Sequence, residues 1–202
     1  MATISDNKLG LIKKYYQSGL SVREIADKLG TPFNATFYFL RKHKIPRRTV
    51  QESNAIQFAN KPLSYKIKSK LSASDEKLKV AALMLYWGEG AKRGKVVDLA
   101  NSDVAMIRIF LNFLRKICGV DESRLKAYIY CYSNQNLNEI KIFWLDNTLI
   151  PAEQFSQPYI RKDFAMKAGR QMENGLIHIR YCDKKLLIYI LNEIEKYKNE
   201  LI

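Results

Sequence analysis

Between Ser21 and Pro46 two short amphipathic patterns are separated by only Gly30, Thr31 and Pro32. That spacing leaves two helices no choice but to cross at close quarters. In SVREIADKLG, Ser21 is suited to an N-cap, and Glu24 three residues later completes a capping box. Val22, Ile25, Ala26 and Leu29 fall on one face, and Ala26 is small enough for a close crossing. Gly30 ends this helix. The next is expected to start with Thr31 as cap and Pro32 at its first position, and to run through NATFYFLRKHKI to Pro46. Before both lies KLGLIKKYYQSG, where Leu9, Ile12, Tyr15 and Tyr16 share a face and Gly19 closes the pattern. Residues 1–46 therefore read as a three-helix module.

Charge gives this module a direction. The chain of 202 residues has a formal net charge of +14. Residues 1–70 hold 14 Lys/Arg against 4 Asp/Glu, a net +10, and residues 71–202 hold 20 against 16, a net +4. A field concentrated on one part favours a polyanionic partner. Two helices joined by a tight turn form the unit that lays its second helix in the major groove of double-stranded DNA. On that reading Asn34 and Thr36 are expected at base edges or phosphates, with Tyr38 beside them. Arg41, Lys42, Lys44, Arg47 and Arg48 are expected at phosphates, and Lys92 and Arg93, farther along the chain, are also expected to contact DNA. The alternative is a three-helix packing or protein-contact module, which the adjacent basic run disfavours. The phrase GLSVREIADKLG resembles the helix-turn-helix domains of site-specific recombinases and sigma-factor-like regulators, a resemblance that spans about 40 residues and implies a fold and a partner, not a chemistry.

Residues 47–74 are basic and polar with little periodicity, and read as a linker with a short helix around 51–59. Lys66, Lys68 and Lys70 alternate with Tyr65, Ile67 and Ser69, which suits a short strand or a backbone-tracking arm as well as a solvated connector. Ser74, Asp75 and Glu76 mark the next helix start.

Residues 75–202 read as an α+β domain. A helix over 75–88 precedes the strand KVVDLAN. A helix VAMIRIFLNFLRKICG, the strand RLKAYIYCY and the helix NLNEIKIFWLDNTL follow. QPYIRKDF and GLIHIRYC are expected strands, and DKKLLIYILNEIEKYK a closing helix. Residues 97–116 align without gaps on 177–196: Val97 matches Ile177, Leu99 matches Ile179, Asp103 matches Asp183, and Leu111–Asn112 matches Leu191–Asn192. Each copy is a strand, an Asp cap and an apolar helix. A small mixed or antiparallel sheet covered by helices on one face is the expected architecture.

The first helix ends in LMLYWGEG, with Glu89 between Gly88 and Gly90. The dipole at a helix C-terminus disfavours an anion there. Glu89 therefore calls for a compensating cation, either a divalent metal or Lys92 and Arg93 close by. Tyr86 and Trp87 suit apolar packing or the wall of a small pocket.

This arrangement resembles the LAGLIDADG homing-endonuclease fold over about 125 residues, with ALMLYWGEG as the motif and Glu89 as its final acid. VDLANSDVAMIRIFLNFLRKICGV and GLIHIRYCDKKLLIYILNEIEKY resemble that family's strand–helix segments. A helix-turn-helix joined to a YWGEG-containing domain more closely resembles a prokaryotic group of proteins. The resemblance implies a homodimer that brings two motif acids together. Glu89 is then catalytic and a Mg2+ ligand, and a phosphodiester bond of DNA is hydrolysed. This chain departs from the motif at Leu83 and Met84, where the family carries small residues, and at Trp87, where it carries an acid. Bacterial transcription regulators pair the same fold with a helix-turn-helix domain, in reverse order, and do not cut DNA.

Three functions follow as expectations: a sequence-specific double-stranded DNA-binding protein of regulatory type; a magnesium-dependent endonuclease; and a protein-interaction module. Cys118, Cys131 and Cys182 are dispersed, as are His43 and His178, which argues against a zinc site or disulfide framework and for reduced, buried thiols. The start MATISDNKLG has no apolar h-region, and the longest apolar run, AALMLYW, is too short for a bilayer, so a cytoplasmic, membrane-free protein is expected.

Overall fold

The computed structural model describes residues 4–162 and 172–202, and the chain divides into two compact units, Met1–Pro62 and Leu63–Ile202. The class is α+β. Residues 47–74, expected as one linker, belong to both units: those up to Pro62 complete the first and those from Leu63 begin the second.

The first unit contains α1 (Leu9–Gln17), α2 (Val22–Leu29), α3 (Phe33–Lys42) and α4 (Val50–Asn60). Ile12, Ile25, Phe39 and Leu40 form its core, with Leu9, Tyr16, Leu20, Val22, Leu29 and Ile45 packed around them. The Ser21–Glu24 capping box is formed, and Gly30 ends α2 at φ 62°. Pro32, not Thr31, is the N-cap of α3. The Thr31 hydroxyl instead lies 2.9 Å from that of Thr36. A second capping box, Thr49 with Glu52, starts α4. This helix seats on the turn after α1, where a Cβ on Gly19 (φ 101°) would stand 2.4 Å from Ile56 Cγ2.

The second unit contains α5 (Ala73–Glu89), β1 (Val97–Asn101), α6 (Val104–Lys116), β2 (Leu125–Tyr132), α7 (Leu137–Thr148), β3 (Tyr159–Arg161), β4 (Leu176–Tyr181) and α8 (Lys184–Leu201). The N-cap of α5 is Ser72, with Asp75 completing its box, two residues ahead of the expected start at Ser74. The sheet order is β1-β4-β2-β3, with β3 parallel to β2 and the other pairs antiparallel. The expected continuation of β3 through Asp163 and Phe164 lies outside the described residues.

One face of the sheet, including Val97, Leu99, Leu125, Ala127, Ile129, Ile177, Ile179 and Tyr181, joins a single core with α5, α6, α7 and α8. The two matched segments are neighbours: β1 pairs with β4, and Leu99 sits opposite its own counterpart Ile179. Asp103 accepts from Met106 N to cap α6, and Asp183 accepts from Lys185 N and Leu186 N to cap α8. The alternating segment around Lys66 docks along the turn after α6, where Lys66 N donates to Cys118 O at 3.0 Å and Lys68 N to Ile117 O at 2.8 Å. Cys118 and Cys131 are buried free thiols, but Cys182 is exposed, contrary to the expectation of three buried thiols. No helix among the described residues is long and apolar enough to cross a membrane.

Candidate nucleic-acid interface

The helix α3 has two sharply different sides. Thr36, Phe39 and Leu40 are buried. Starting about 20° from Leu40 at the edge of this stripe, Phe33, Phe37, Arg41, Asn34 and Tyr38 follow one another in an arc of roughly 140°. Asn34, Tyr38 and Arg41 on this arc are exposed, as are Lys44 and Arg47 just beyond the helix. Arg23, from α2, places its guanidinium 5.7 Å from the centroid of the Phe33 ring. Arg23, Arg41, Lys44 and Arg47 form no ion pair with a carboxylate among the described residues.

Lys44 has a left-handed backbone, φ 52°, at the end of α3. Its N–H donates to Arg41 O and that of Ile45 to Leu40 O, closing the helix in a turn that usually takes glycine. Beside this turn a cleft of about 360 Å³ is lined by Tyr16, Val22, Phe37, Leu40 and Ile45, with Arg41, Lys44 and Arg47 on its walls.

Three expected contacts have other tasks. Thr36 is fully buried, its hydroxyl bonded within the unit to Thr31, so it has no path to a base edge. Arg48 is a strap: its guanidinium stacks 3.9 Å over the Tyr16 ring and donates to Tyr16 O and, at 3.1 Å, to Gly19 O. Lys42 pairs with Asp6 at 3.1 Å, and His43 lies 3.0 Å from the same carboxylate. Those two hydrogen bonds hold the Asp6 carboxyl below its usual value. The sequence reading missed Arg23 and the Phe33–Phe37 pair. The helical spacing hid the pair: positions 33, 36, 37 and 40 fall on one face, so the pattern alone places both rings in the core, whereas Phe33 is exposed.

In the second unit the sheet face opposite the core carries Asp98, Lys126, Tyr128, Tyr130, Tyr159, Arg161, His178 and Arg180. They alternate with the buried residues of β1, β2 and β4. Tyr130 and Tyr159 stack with centroids 4.7 Å apart. Asp98 engages His178 Nδ1 at 2.9 Å and Arg180 Nε at 3.1 Å, so that part of the face is neutralised internally.

Glu89 is the last residue of α5 and is exposed. It forms no hydrogen bond or ion pair with Lys92 or Arg93 among the described residues; Lys92 Nζ reaches Gly88 O at 3.3 Å, and Arg93 is exposed. Among the described residues no group of three or more His, Cys, Asp or Glu converges as a metal-holding set. Glu89 is thus a single protein carboxylate, and magnesium held by one carboxylate takes its remaining ligands from water, substrate phosphate or a further acid.

The residues beside Glu89 have distinct packing roles. Tyr86 is fully buried; its hydroxyl donates to Ala91 O at 2.6 Å and accepts from Asp98 N at 3.3 Å. Burial pushes this phenol up to about 12. A Cβ on Gly90 would meet the Tyr86 ring at 2.5 Å, whereas one on Gly88 meets nothing. Trp87 is 44% exposed, with the Lys198 ammonium 5.7 Å from its ring. Leu83 is buried and Met84 packs against the core, so both belong to this unit's own interior.

Comparisons with protein-family models, curated proteins and solved structures each return no match for this chain.

Proposed function

We propose that this chain binds double-stranded DNA sequence-specifically as a regulatory protein, with α3 as the helix that enters the major groove. One observation carries the reading: an exposed helix face bearing an amide, a phenol and a guanidinium, flanked by Arg23, Lys44 and Arg47, which no carboxylate engages among the described residues. The division of labour follows from chemistry. Asn34 offers a bidentate amide to adenine N6 and N7, and Tyr38 a hydroxyl to a base edge or phosphate. Arg23, Arg41, Lys44 and Arg47 set the register on phosphates. Arg48 and Thr36 act behind the face, one strapping the following segment to α1, the other fixing the α2–α3 turn.

A magnesium-dependent endonuclease is kept as a second reading on one observation, the carboxylate of Glu89, exposed and unengaged among the described residues, with Lys92 and Arg93 close by in the chain. It takes the ion's further ligands from water, substrate phosphate or a second copy in a homodimer, and no hydrolytic step is assigned to this chain alone.

Incubation with random-sequence duplex DNA and magnesium, scored for retention and cleavage, separates the two. The regulatory reading expects a retained subset of intact sequences, unchanged in Glu89→Gln. Cleavage abolished in Glu89→Gln with retention intact would replace it by the nuclease reading. Absence of retention at low salt would overturn both.

A further inference from the structure

We infer that the leading edge of α3 reads the C5 methyl groups of thymine. The inference rests on the DNA-binding reading above and names what part of that face recognises. Phe33, the first residue of α3, is 43% exposed, and Tyr38 is 62% exposed. Phe37, one turn after Phe33, stacks on it with centroids 6.2 Å apart at 18°, and meets Tyr38 edge-on at 5.9 Å. None of these rings belongs to the core of the first unit.

Two phenyl rings offer no hydrogen bond, so they cannot read the donors and acceptors of a base edge. The apolar feature a base pair presents in the major groove is the thymine methyl. The surroundings specify the rest of the occupant. Arg23 lies over the Phe33 ring, and Arg41 shares the arc. An occupant that is apolar at the rings and anionic around them fits both, and duplex DNA presents methyl groups between two rows of phosphates. Asn34, on the same arc, carries the amide that pairs with adenine. Rings and amide thus match the two bases of an A·T pair.

Duplexes enriched from a random pool on the full chain are resynthesised with deoxyuridine in place of thymidine, which removes the methyl groups and leaves every hydrogen-bonding edge intact. Binding is expected to weaken about fourfold for each methyl contacted. The salt dependence should stay unchanged, because the phosphates are untouched. Phe33→Ala is expected to bind thymine and uracil duplexes more nearly alike, with its thermal melt preserved because the ring lies outside the core; Tyr38→Ala serves as a second variant. Equal affinity of the wild type for the two duplexes would overturn the inference and leave DNA binding standing. So would full methyl discrimination in both variants. Enrichment of no duplex at all would overturn the parent reading as well.

Discussion

The guanidinium of Arg48 lies 3.9 Å over the ring of Tyr16 and donates to the carbonyl of the same residue, so a residue beyond α3 is tied to the end of α1. Its second donor reaches Gly19 O at 3.1 Å. Charge-assisted hydrogen bonds of this kind contribute to stability where phosphate contacts contribute to binding. Arg48→Ala is expected to destabilise the first unit by about 2 kcal/mol in thermal melts, with the salt slope of DNA binding unchanged. A shallower slope with an unaltered melt would assign Arg48 to the phosphates instead.

At Lys44 stability and binding are expected to move in opposite directions. A non-glycine residue at φ 52° carries strain that glycine relieves. Lys44→Gly is expected to gain up to about 1 kcal/mol, the relief of strain less glycine's added chain entropy, and to lose one phosphate contact. Calorimetry and a salt titration on the same sample check both halves.

The two glycines around Glu89 are not equivalent. Gly90→Ala forces a methyl into the buried Tyr86 ring at 2.5 Å, whereas Gly88→Ala enters open space. Overpacking of this kind costs about 1–3 kcal/mol. The expected result is a clear fall in melting temperature for Gly90→Ala and none for Gly88→Ala. Equal effects would mean that the glycines serve Glu89 rather than Tyr86.

Under α8, Lys79 and Glu193 form an ion pair at 2.6 Å with side-chain exposures of only 14% and 10%, and Lys196 adds a second bond to the carboxylate. Burial raises the Glu193 carboxyl, but the hydrogen bonds from Lys196 and Lys79 outweigh it and leave it below 4.5. A lowered carboxylate contributes stability above its unfolded value that is lost as pH falls through the folded one. Glu193→Gln is expected to cost about 3 kcal/mol at neutral pH and to flatten the loss of stability below pH 4.5. Denaturant melts at pH 7 and pH 3.5 measure both.

The elements legible in the sequence were those fixed by local chemistry. Ser21 with Glu24, the Asp103 and Asp183 caps, and the alternation in Leu125–Tyr132 each depend on near neighbours and lie where the residues imply. Less legible was what distant partners decide. Thr36 has the chemistry of a base contact but is held by Thr31 in the α2–α3 turn. Arg48 sits in a basic run, and only the fold brings Tyr16 beneath it. The connector concealed a capping box at Thr49, and its later part gained order by docking on Ile117–Val120, which no local pattern announces.

The central claim is tested most directly by the salt dependence of duplex DNA binding, compared between the wild-type chain and a variant with alanine at Arg41, Lys44 and Arg47. Each phosphate contact contributes about 0.9 to the slope of log K against log salt, so the variant's slope should be shallower by about 2.7. Salt-dependent binding by the wild type with that difference supports the α3 face as the DNA-binding surface. Identical slopes, or no salt-dependent binding by the wild type, would contradict it.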